Sequence, residues 1–89
     1  MKVKRAQNEI PTYNAEAIQS EVEALIGKAV KIEVVISNGK SKTEEGIITS
    51  VYPNLFLVER THKGVNYKYS HTFIDIFTKR VNIEVVEED

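Results

Sequence analysis

Ser37-Asn38-Gly39-Lys40-Ser41-Lys42-Thr43-Glu44-Glu45-Gly46-Ile47-Ile48-Thr49-Ser50-Val51-Tyr52-Pro53-Asn54-Leu55-Phe56-Leu57-Val58 reads as a turn, a strand, a sharp corner and a second strand with hardly a spare residue. Asn38-Gly39 has the composition of a two-residue hairpin link, whose two central positions need φ > 0. Residues 45–52 are rich in β-branched side chains, and Gly46 near their start is where a strand of a small barrel can bend or bulge. Pro53-Asn54 turns the chain. Residues 55–60 then return as a third strand with Phe56 and Val58 on the core face.

Upstream of this stretch, Val30, Ile32, Val34 and Ile36 alternate with Ala29, Lys31, Glu33 and Val35, the period-2 pattern of a strand with one buried face. Before it, Ile18, Val22, Leu25 and Ile26 fall at helical spacing, with Asn14 as N-cap and Gly27 as the residue that ends the helix. So short a helix is marginal alone and needs the sheet to cover its stripe. Downstream, residues 61–64 form a turn and residues 65–73 a fourth strand, with Tyr67, Tyr69, His71 and Phe73 on one face and Lys68, Ser70 and Thr72 on the other. Residues 74–77 make a short turn, and residues 80–86 close the sheet. The fold class expected is mainly β: a small five-stranded SH3-like or Sm-like barrel with one short N-terminal α-helix.

An 89-residue chain with 42% hydrophobic and 28% charged residues is one small globular unit rather than a disordered segment. The expected layout is a flexible arm over residues 1–12, a helix-plus-barrel domain over 13–86 and an acidic tail over 87–89. Without cysteine, stability rests on burial of Val, Ile, Leu, Phe and Tyr. The basic start lacks the apolar run of a secretory signal, and nothing approaches the roughly 18 apolar residues of a membrane span, so the cytoplasm is the expected location. A net charge of -1 argues for no polyanion partner by itself.

Catalytic and metal chemistry finds no footing in the residues. His62 reads as a solvated loop residue. His71 follows Ser70 and precedes Asp75, but adjacent strand residues point to opposite faces, so Ser70 cannot share a proton with that ring. Two distant histidines without His-x-His or Glu-x-x-His spacing make no metal site. Asp75, between Ile74 and Ile76, reads as a turn residue bonding nearby amides. Gly39, Gly46 and Gly64 are too scattered for a phosphate loop. No cofactor is expected. Lysines and arginines interleaved with Tyr52, Tyr67 and Tyr69 are the mixture small barrels use on single-stranded nucleic acid, and equally the rim of a packed tyrosine core.

Residues 27–85 resemble the Veg family of biofilm formation stimulators of low-GC Gram-positive bacteria. The resemblance rests on Ile26-Gly27-Lys28, the Asn38-Gly39-Lys40 turn, Gly46, the corner Tyr52-Pro53-Asn54-Leu55-Phe56-Leu57-Val58, and Ser70-His71-Thr72-Phe73-Ile74-Asp75-Ile76-Phe77-Thr78, which is similar to the family's Ser-Tyr-Ser-Tyr-Ala-Asp-Ile-Leu-Thr. His71 and Phe73 stand where the family commonly has tyrosines. The resemblance implies a non-enzymatic cytoplasmic protein that influences gene expression for extracellular-matrix production by contacting a transcriptional regulator. It supplies no catalytic residues. Lys40 and Lys42 beyond the first hairpin and Lys68 on the solvent side of the fourth strand are the expected partner-binding residues, being charged and clear of the core. Nucleic acid is the alternative partner, and an uncovered strand edge allows a homodimer.

Overall fold

The fold was read from a computed structural model that describes residues 12–86, so the expected acidic tail and all of the expected arm except Thr12 lie outside the described residues. Asn14 begins the ordered pattern. Its backbone is extended (φ -129, ψ 97), and its side-chain oxygen accepts the N–H of Ala17 at 3.1 Å, satisfying one of the orphan donors of helix α1, Ala15–Glu23. Glu16 lies in the first turn, where the helix dipole favours an acid. The helix stops short of the apolar stripe that predicts it. Residues 24–27 are a turn, and Gly27 (φ +89) donates its N–H to the Ile48 carbonyl at 2.8 Å. Val22 is buried, Ile18 and Leu25 pack against the core, and Ile26 is left 47% exposed.

Five antiparallel strands follow: β1 (Ala29–Ser37), β2 (Lys40–Val51), β3 (Leu55–His62), β4 (Val65–Thr72) and β5 (Val81–Val85), with helix α2 (Phe73–Phe77) between the last two. Their order is β4-β3-β2-β1-β5. The sheet is open. A barrel would need a ladder between its edge strands, and β4 and β5 share none among the described residues. Because β4 is antiparallel to β3 and β5 to β1, both edges run the same way. Residues 73–80 between them are too few for the crossover of about a dozen or more residues that a parallel pair requires. The expected mainly β class, with five strands and a short N-terminal helix, is present, and the sheet is curled and open, with no closing ladder among the described residues.

The curl comes from β2, which starts at Lys40, five residues before the expected position. Its first half pairs with β1, its second half with β3, and Ile47 belongs to both ladders, opposite Ala29 and Glu59. Gly46 sits at this pivot. A Cβ there would lie 2.7 Å from both the Glu59 carbonyl oxygen and a Val58 methyl, so only glycine lets β3 approach so closely. A bulge between Ile48 and Ser50 adds local twist. The two halves thereby fold toward one another over a core of Val22, Val30, Ile32, Ile48, Phe56, Val58, Phe73 and Val81, all at most 3% exposed. Phe56 stacks on Phe73 with ring centroids 6.2 Å apart. Arg80 bonds the Asp75 carbonyl at 2.9 Å, so the turn after α2 uses the backbone oxygen of that residue.

The two short hairpin links exchange the roles the sequence suggests. Between Ser37 and Lys40 only Gly39 has positive φ (+72), and a register shift between Val35 and Ser37 throws Ile36 out of the core alternation to 63% exposure. Between His62 and Val65 both Lys63 (φ 51) and Gly64 (φ 80) are left-handed, the pattern of the mirror-image hairpin turn.

Candidate functional site

Polar side chains gather in three groups, two at the surface and one nearly buried. The first is the tip of the β1–β2 hairpin. Ile36 stands exposed beside Lys40, and Lys42 extends its ammonium to Glu44, Nζ to Oε2 3.4 Å, while 58% of its side chain remains accessible. Two lysines on β2 thus lie across from the stretch of β1 that carries an exposed apolar residue.

The second group lies inside the curl. Glu44 is directly opposite buried Ile32 on β1, which points its carboxylate to the core side. There it meets His71 of β4, Nε2 to Oε1 2.9 Å, with only 11% and 10% of the two side chains exposed. The His71 ring is also tilted against Phe56 at 5.7 Å. The arrangement joins strands that share no ladder, and its chemistry is structural: the nearly buried His71 is satisfied by Glu44, whose other carboxylate oxygen meets Lys42.

The third group is on the outer face, the side away from the core. Lys68 faces Glu59 across the β3–β4 ladder. Glu59 accepts a hydrogen bond from the Thr49 hydroxyl at 2.8 Å and from the Asn66 amide at 3.2 Å. The Thr49 bond foremost, then the Asn66 bond and the charge of Lys68, hold its carboxyl below the ordinary glutamate range. Beside it runs a groove of ≈ 630 Å³ past Gly46, Ile47, Arg60 and Val86.

Lys40 and Lys42 thus share the hairpin tip, whereas Lys68 projects from the opposite face of the sheet. The His71–Glu44 contact spans 27 residues and was not anticipated from the sequence. The one available signal is parity, because Glu44, Gly46 and Ile48 share the inward face of β2 just as Tyr67, Tyr69 and His71 share that of β4. No group of three or more His, Cys, Asp or Glu side chains able to hold a metal occurs among the described residues. No described helix is long and apolar enough to cross a membrane.

The chain matches the family described as Biofilm formation stimulator VEG over residues 14–84, which takes in α1 and nearly all of the sheet. No curated protein matches it.

Proposed function

The chain belongs to the VEG family of biofilm formation stimulators, and from that membership we propose that it is a non-enzymatic regulatory module of the cytoplasm that docks on a transcriptional regulator of extracellular-matrix genes. The observation that carries this reading is the family match across residues 14–84. The docking element is the β1–β2 hairpin tip, where Ile36 provides an apolar anchor and Lys40 and Lys42 a cationic margin. A tip of this kind can be inserted into a partner without disturbing the core. Lys68 enters as a separate contact on the other face.

The test is a charge reversal, Lys40→Glu with Lys42→Glu, alone and combined with Lys68→Glu, read by affinity capture of the regulator and by a matrix-gene reporter in cells. Loss of both signals with an unchanged melting temperature supports the reading, since surface substitutions usually alter stability little. Full capture by the triple variant overturns it.

A second reading, single-stranded nucleic acid, is favoured by Tyr67, 41% exposed and directly opposite Arg60 near Lys63, a ring with a guanidinium beside it. Retention of random RNA or DNA that falls steeply between two salt concentrations would select it.

A further inference from the structure

The outermost strand β4 pairs along its whole length with β3 and, among the described residues, with nothing on its other side. Proteins normally defend such an edge with prolines, bulges, shortness or several charges. β4 has eight residues, an unbroken register from Val65 to Thr72, no proline and a single charged residue, Lys68. The other edge, β5, is only five residues long.

The ladder also reveals which groups are free. The Phe73 N–H donates to the Asn54 carbonyl at 3.0 Å, continuing the β3–β4 register by one step. In an antiparallel ladder, bonded and non-bonded pairs alternate. Val65, Tyr67, Tyr69 and His71 therefore spend their backbone groups on β3. Asn66, Lys68, Ser70 and Thr72 direct theirs outward.

We propose that the occupant of this edge is a second copy of the chain, with β4 pairing antiparallel to its counterpart about a two-fold axis at Tyr69. In that register every outward group finds another: Lys68 faces the partner copy's Ser70, and Asn66 the partner copy's Thr72. On the core side, Tyr67 faces His71 and the two Tyr69 rings meet, so the inner faces of both sheets stay continuous. Shifting the axis by one residue either opposes two lysines or runs the pairing into α2. The chosen register opposes no like charges. A net charge of -1 adds almost no repulsion between copies, and two-fold symmetry is the commonest closed arrangement for identical chains.

Sedimentation velocity and light scattering over a concentration series test this without any regulator present. The wild type is expected to pass from monomer to dimer. Ser70→Glu places an acid opposite Lys68 at two symmetric points and should tighten the dimer about tenfold, while Ser70→Lys should loosen it by a similar factor. Ser70→Pro should yield a folded monomer, because the N–H it removes is unused within the chain. Circular dichroism confirms that each variant is folded. A wild type that stays monomeric to roughly 1 mM, an assembly larger than a dimer, or a dimer indifferent to both charge substitutions would overturn the proposal.

Discussion

His71 and Glu44 join the two halves of the curled sheet by a single 2.9 Å contact between strands that exchange no backbone hydrogen bonds. With both side chains about nine-tenths covered, the pair is worth less as an attraction than as an obligation, because without Glu44 the His71 ring would be a nearly buried, unpaired polar group, while Glu44 without His71 would keep only the exposed Lys42.

Glu44→Ala should therefore destabilise the domain by about 1–3 kcal/mol, and a well-packed apolar exchange of both residues, Glu44→Leu with His71→Phe, should recover most of the loss. Chemical denaturation of the two singles and the double completes the cycle. If the double variant is no more stable than the worse single, the pair is doing something other than satisfying itself.

At the pivot of β2, Gly46→Ala should cost about 1–3 kcal/mol, since the added methyl would strike a backbone carbonyl that cannot rotate away. Thermal melts read the effect. An unchanged melting temperature would mean that the approach of β3 to β2 is looser than the 2.7 Å contacts require.

Among the turns, Gly39→Val and Gly64→Val should damage the fold to similar extents, because each glycine holds a positive φ and neither Cβ position has a neighbour within 4 Å. At the second link, Lys63→Asn should stabilise by about 0.5–1 kcal/mol, as asparagine tolerates the left-handed conformation that lysine resists. A destabilised Lys63→Asn variant would contradict the mirror-image turn.

Glu59 has a folded-state carboxyl held below its ordinary value, so its contribution to stability is present above the unfolded-state value and is lost as pH falls through the folded one. Glu59→Gln should accordingly be less stable than wild type at neutral pH, with the gap closing from about pH 5 downward. Denaturation curves across that window measure the gap, and a gap independent of pH would show that the hydrogen bonds from Thr49 and Asn66 do not distinguish the charged form. The carboxylate is exposed, so added salt should weaken the contribution of Lys68.

The local features were legible before the structure. Asn14 caps its helix, the corner at Pro53-Asn54 places Phe56 and Val58 fully in the core, and the strands of the meander appear close to where their alternation puts them. What failed to show was anything decided by a neighbour distant in sequence. The polar run 40–45 looks like an extended turn because its partner, β1, supplies most of the apolar surface. Ile36 obeys the strand alternation and still points to solvent, because a bulge two residues from the turn shifts the ladder. Helix α1 ends at Glu23 because Gly27 is drawn to Ile48 instead of continuing the spiral. The same limit applies to the candidate site: three lysines can be recognised as available, but the sheet face each occupies depends on register, and register separates Lys68 from the other two.

The strand order also carries a timetable. β1 through β4 are successive hairpins whose partners lie close along the chain, whereas β5 must find β1 across about fifty residues, Val30 meeting Val85 and Val34 meeting Val81. Loop closure makes such remote pairing slow to nucleate, so the meander can organise first and β5 locks it afterwards. Trimming a methyl group from the partly buried Ile83 of that last strand, as in Ile83→Val, should therefore hasten unfolding while leaving the refolding rate nearly untouched. The residence time of the native state should then be set by the last strand to dock, whose first residue, Val81, lies opposite Val34 where β1 runs into its hairpin with β2.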